Sequence, residues 1–157
     1  TDGSNLNTYP AVYRGILNFF GDIWTFIRDV VIVNRNANYN SVYLLKKGVN
    51  HADITIDNIQ DKCYFIGDQA NSNNFITEFD FRFGPYFIPN KVGTNKKADY
   101  NWIISNNGQD TDKVVCVLRL GGCAGNGSGA GSGYFDSAWA RSVSDAGVGF
   151  FTTVKLD

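Results

Sequence analysis

Ile23-Trp24-Thr25-Phe26-Ile27-Arg28-Asp29-Val30-Val31-Ile32-Val33 is the stretch on which the fold turns. Two blocks of β-branched and aromatic residues stand on either side of a polar pair, and side chains of that kind favour a pleated, half-buried strand. The next residues, Asn34 to Ser41, hold four asparagines and read as a turn. Val42-Tyr43-Leu44-Leu45 then reads as the returning strand, closed by Lys46-Lys47-Gly48. Upstream, Asn5 to Pro10 is polar, and residues 1–8 are expected to form a loose tail. Between Ala11 and Phe20 the apolar residues Val12, Ile16, Leu17, Phe19 and Phe20 fit a short amphipathic helix stopped by Gly21.

Downstream the signals are mostly of strand. Ala52 to Ile59 alternates polar residues with Ile54, Ile56 and Ile59, as an edge strand does. Cys63-Tyr64-Phe65-Ile66-Gly67 has the look of a buried run. Phe79, Phe81 and Phe83 alternate with Glu78, Asp80 and Arg82, whereas Pro85 and Pro89 predict irregular chain after them. Tyr100–Ser105 and Lys113–Leu120 are strand-like and flank the turn-forming Asn106-Asn107-Gly108. These elements predict one α+β domain over residues 1–157, rich in strand, with one or two helices and extensive ordered loop.

Bulk properties narrow the function classes. At 157 residues, with 43% hydrophobic and 15% aromatic content, the chain is large and apolar enough for a real core. A net charge of −1 supplies no basic footprint, so nucleic acid is disfavoured as a partner. No apolar run reaches membrane-spanning length, so no membrane insertion is expected. Cys63 and Cys116 lie in apolar runs and are expected as buried thiols; three scattered cysteines and one histidine make a poor zinc set. His51 stands beside Asp53 in a polar turn without a nucleophile at a recognisable spacing, and no EF-hand spacing occurs. Neither catalysis nor any metal or cofactor is expected.

The C-terminal third differs from the rest. Glycine fills seven of the thirteen positions from Gly121 to Gly133. Gly125-Asn126-Gly127-Ser128-Gly129-Ala130 satisfies the dinucleotide spacing, but that motif has meaning only between a strand and a helix, and Gly131-Ser132-Gly133 is a poor helix start. A slack linker is disfavoured by Tyr134, Phe135, Trp139 and Val148-Gly149-Phe150, which call for burial.

Three segments, in order, resemble one family. Tyr13-Arg14-Gly15-Ile16-Leu17-Asn18-Phe19-Phe20-Gly21-Asp22-Ile23-Trp24-Thr25-Phe26 is similar to the R-G-I-E-N-x-x-G-N-[IV]-W-x-[FW] signature of phage C-type-lectin-fold proteins. Leu17 and Asp22 depart from it. Asp99-Tyr100-Asn101-Trp102 and Arg119-Leu120-Gly121-Gly122 resemble the D-Y-x-[YW] and R-x-G-G segments of the same proteins. Asn126-Gly127-Ser128, Ala130-Gly131, Tyr134-Phe135, Ala140-Arg141-Ser142 and Val148-Gly149-Phe150 resemble the terminal region of variable proteins diversified by retroelements.

The resemblance implies a C-type lectin fold, related to that of formylglycine-generating enzymes, whose region 119–151 displays an exchangeable binding surface. The positions implied are Cys123, Ala124, Gly125, Gly129, Ser132, Gly133, Asp136, Ala138, Trp139, Val143, Asp145, Gly147 and Phe151. Such mutagenesis turns asparagine AAC codons into NNC codons, which cannot encode Trp139. Phe151, Asp136 and Asp145, with Trp139, are the expected energetic contacts, since the remainder are mostly small. The implied partner is a protein or glycan on a target surface, met from a virion's host-adhesion apparatus or a cell surface, with homo-oligomers possible in such proteins. A structural virion or tail-fibre domain with a glycine-rich packing end is the competing reading.

Overall fold

The two apolar blocks of residues 23–33 fuse into one long strand. A computed structural model describes residues 12–13, 16–17, 24–36, 39–83, 86–94, 99–103, 115–122, 126, 131–140 and 148–149. Its strands are β1 (Val12–Tyr13), β2 (Ile16–Leu17), β3 (Trp24–Asn36), β4 (Tyr39–Leu45), β5 (Cys63–Gln69) and β6 (Asn74–Phe83). They continue with β7 (Tyr86–Gly93), β8 (Tyr100–Trp102), β9 (Val115–Gly121), β10 (Gly131–Ala140) and β11 (Val148–Gly149). Among the described residues helix amounts to a 3-10 turn at His51–Asp53, one turn of α-helix, α1 (Ile59–Lys62), and Asn126.

The α+β expectation, with its C-type lectin fold and its one or two helices, is therefore corrected: the described chain is nearly all β. The helix expected over 11–20 is replaced by β1 and β2, which pair antiparallel with Val12 opposite Leu17 and Tyr13 opposite Ile16. Gly15 in mid-segment and the β-branched Val12 and Ile16 lower helix propensity, and they outweigh the apolar spacing. Ala52–Ile59 is likewise no edge strand. Its turns bury Ile54 and Ile59 and leave Ile56 outside.

The main sheet runs β5-β4-β3-β9-β10-β8-β6-β7, with β11 added in parallel at the Trp24 end of β3. All other pairings are antiparallel except β8 with β10. The ladder between β3 and β9 slips between Ile27 and Val31, where the polar pair Arg28-Asp29 is exposed. The sheet then curls until its ends meet. The Ala70 amide, just past β5, donates to the Pro89 carbonyl of β7 at 2.7 Å. Gly67 lies so close to β7 that a Cβ there would stand 2.9 Å from Ile88 Cδ1. Pro89 sits in the last strand of the order, and there its missing N–H costs no ladder bond between neighbours on both sides.

The interior of this nearly closed barrel is filled by Val30, Ile32, Val42, Ile66, Ile76, Ile88, Cys116, Leu118 and Phe135. Seven strands contribute to that list, so the core exists only when the sheet has curled. On the outside, Val31, Val33, Tyr43 and Val115 are capped by Ile54, Ile59 and Cys63. Cys63 and Cys116 are free, buried thiols.

One polar group of residues crosses the interior. Gln69 Nε2 donates to Asn101 Oδ1 at 2.7 Å, and Ser137 Oγ donates to Gln69 Oε1 at 2.7 Å. Asn101 Nδ2 donates to the carbonyls of Ala70 and Ser72 at 3.0 and 2.9 Å. Both amide hydrogens and the oxygen of Asn101 are thereby engaged, and β5 is tied to β8 and β10 across the barrel. Asn101→Leu leaves Gln69 and two carbonyls short of donors or acceptors. We expect it to cost about 2–4 kcal/mol in urea unfolding; a loss under about 0.5 kcal/mol, the scale of an ordinary surface change, would contradict this closure.

Candidate functional site

A belt of aromatic side chains lies across the outer face of five adjacent strands, β3-β9-β10-β8-β6. Residues paired across a ladder share a face, and the register places Phe26 opposite Arg119, Arg119 opposite Asp136, and Asp136 opposite Trp102. With side chains alternating along each strand, Trp24, Tyr134 and Tyr100 join that face. The rings touch in series. Phe75 and Tyr100 lie 5.1 Å apart between centroids, Tyr100 and Trp102 6.1 Å, Tyr100 and Tyr134 5.8 Å, and Tyr134 and Trp24 4.7 Å, edge to face. Asn126, in the glycine-rich stretch, reaches the Tyr134 hydroxyl through Nδ2 at 3.5 Å.

At the other end the belt is bridged by a cation. The Arg119 guanidinium carbon stands 4.7 Å from the Trp24 ring centre and 4.7 Å from that of Trp139, so the group is held between two indoles. Arg119 is buried, and one of its terminal nitrogens donates to Asp136 Oδ2 at 2.5 Å. Asp136 Oδ1 accepts from the Ala138 amide at 2.9 Å, and the Trp139 side chain donates to the same carboxylate. Burial pushes the Asp136 carboxyl above the usual aspartate value, while Arg119, the Ala138 amide and the Trp139 indole pull it down. Arg119 Nε is buried without a hydrogen-bond partner among the described residues. Arginine suits this place better than lysine because its plane stacks on rings while its edge pairs with a carboxylate.

The bulge on β10 explains why Trp139 faces outward with this group. Between Asp136 and Trp139 the pairing with β9 moves three residues on β10 against two on β9, from Arg119 to Val117. The extra residue turns Trp139 onto the face of Asp136. Trp139 is 41% exposed and Trp102, on the neighbouring strand, 43%.

The glycines of β10 have a different job from the one a loop reading gives them. A Cβ on Gly131 would overlap the Asp99 carboxylate, and one on Gly133 would overlap both that carboxylate and the Phe79 ring. Asp99 just precedes β8, accepts from the Gly133 amide, and supplies its own carbonyl to the Ile76 amide at 2.7 Å. Small residues here let a carboxylate sit against the backbone.

Of the positions implied by the family resemblance, Gly133, Asp136 and Ala138 are buried and Trp139 is exposed. Ser132 lies within β10. Cys123, Ala124, Gly125, Gly129, Val143, Asp145, Gly147 and Phe151 fall outside the described residues. Asp136 and Trp139 are thus brought together, with Asp136 as the mount and Trp139 as the surface. Arg119, Trp24, Trp102 and the two tyrosines were not singled out as a group by sequence. Their alternation, Tyr100 with Trp102 and Tyr134 with Asp136, is the signal that could have found them. Among the described residues no three His, Cys, Asp or Glu side chains cluster as metal ligands, and no helix is long and apolar enough to cross a membrane. Comparison with protein-family models, characterised proteins and solved structures gives no match for the chain.

Asp99 sets a pH dependence. Burial raises its carboxyl above the ordinary value, opposed by the Gly133 amide. A carboxyl held high when folded adds stability in full below the unfolded pKa of about 3.9, and that stability is lost as pH rises through the folded pKa. Asp99→Asn should therefore gain on the parent in melting temperature as pH is raised from about 4 to neutrality. A difference that stays constant across that range contradicts the assignment.

Proposed function

We propose that this domain is a recognition module that binds a target without chemistry, through the outer face built around strand β10. Trp139 carries the reading. It is a large, half-exposed indole locked from behind by a buried ion pair, and rigid aromatic anchors of this kind supply contact area at low entropic cost. β9 and β11 flank the Trp24 end of β3, one on each edge. The partner class remains that of a surface-borne protein or glycan, presented to a virion or a cell-surface display protein. Several copies of a weak site would raise its avidity.

A narrower form of this proposal is that retroelement mutagenesis diversifies region 119–151. Its support is the sequence resemblance. Packing sets a limit on it: exchange at Gly133 meets Asp99, and exchange at Asp136 strands Arg119. Sibling copies of such a family would hold Gly133 and Asp136.

Adherence of the tagged 157-residue chain to a panel of bacterial and archaeal cell surfaces tests the general proposal. The expected result is selective adherence that Trp139→Ala weakens about tenfold or more, the size of a hot-spot truncation, with a cooperative unfolding transition retained. Adherence equal in parent and variant, or none on any surface, contradicts it.

A further inference from the structure

We infer that the ligand taken by this face is a neutral saccharide, stacked on the two exposed indoles of Trp102 and Trp139. The inference rests on the recognition reading above and adds to it a second wall and a ligand class.

Trp102 pairs in register with Asp136, and Trp139 lies two ladder steps further along β10. Strand geometry then separates their Cα atoms by about 8 Å, from steps of about 3.3 Å and a strand spacing of about 4.8 Å. Asp136, beside Trp102 in the ladder, lies buried beneath this face and is already engaged by Arg119, the Ala138 amide and the Trp139 indole. The face thus presents two exposed indoles on neighbouring strands above a buried, mutually neutralised ion pair.

Three ligand chemistries suit exposed indoles, and the local electrostatics separate them. A cation prefers the electron-rich face of an indole, but the inner face of Trp139 is already taken by the Arg119 guanidinium. Asp136 offers no compensation, since its charge is spent on Arg119. A protein partner needs a broad desolvated patch around its anchors, whereas of the rings beside these two Trp24 and Tyr134 are buried and Phe75 and Tyr100 only partly exposed. A pyranose ring meets both conditions. It is uncharged, its C–H face is flat and apolar enough to stack on an indole by dispersion, and its rim hydroxyls stay in water. Preorganisation favours it too: Trp139 is fixed by its stack and hydrogen bond, and Trp102 by the Tyr100 ring 6.1 Å away.

Titration of the full chain with neutral oligosaccharides tests the inference, followed by tryptophan fluorescence and by saturation-transfer NMR. The panel is β- and α-linked hexose and N-acetylhexosamine oligomers at millimolar concentration, with tetramethylammonium and an arginine-rich peptide as cationic arms. At least one oligosaccharide is expected to bind saturably. Trp139→Ala and Trp102→Ala should each weaken it about tenfold, and Trp139→Phe, which keeps a flat ring and guards against loss of fold, should stay within about threefold. Silence across the saccharide panel with folded protein, binding indifferent to both alanine variants, or cationic arms bound as tightly as sugars would each overturn it. If adherence to cells depends on Trp139 yet free oligosaccharides do not compete, the saccharide falls and the recognition reading stands. If adherence ignores Trp139, both fall.

Discussion

The guanidinium of Arg119, held between the indoles of Trp24 and Trp139 and tied to Asp136, is the interaction on which the outer face depends. Taking both charges out of water is costly, and their attraction offsets that only with good geometry and further hydrogen bonds. Here the carboxylate receives three donors and the guanidinium two ring faces. The group therefore specifies position more than it adds stability. It fixes β3, β9 and β10 in one register and settles which way Trp139 points. A hydrophobic replacement could match its stability, but not its ability to aim an indole.

That group needs a sheet held in a particular curl, and the barrel supplies it. The core residues come from strands far apart in the chain, so none is buried until the β5 and β7 ends approach. The Gln69–Asn101–Ser137 bonds work from inside, on the same strands β8 and β10 that carry Trp102 and Trp139 outside. Alternation along a strand makes this division possible: Asn101 and Ser137 point into the barrel while Trp102 and Asp136 beside them point out. The rigidity of the outer face is thus inherited from polar bonds in the interior.

Strand content was legible wherever β-branched and aromatic residues were dense, as at 23–33, 42–45 and 115–120, and even the slip in β3 was marked by Arg28-Asp29. The helix over 11–20 failed because apolar spacing alone does not separate a helix from two short paired strands when Gly15 stands between them. Ten residues of strand from Gly131 to Ala140 were hidden by glycine, which has poor strand propensity. Those glycines are set by Asp99, a contact distant in sequence that no local pattern announces. Closure of the barrel was invisible for the same reason, since it depends on Ala70 and Pro89 meeting across the molecule. In the site, Trp139 and Asp136 stood out by chemistry, but their link through Arg119 required the register of β9 against β10.

The most direct test of this account is a double-mutant cycle on Arg119 and Asp136, read by equilibrium unfolding. Arg119→Met and Asp136→Leu should each cost about 3–5 kcal/mol, because each leaves a buried charge without its partner. The double variant should cost less than the sum by at least about 2 kcal/mol, since it removes both charges together. Losses that add to within about 0.5 kcal/mol would mean the two residues do not meet, and the outer face described here would have lost its foundation.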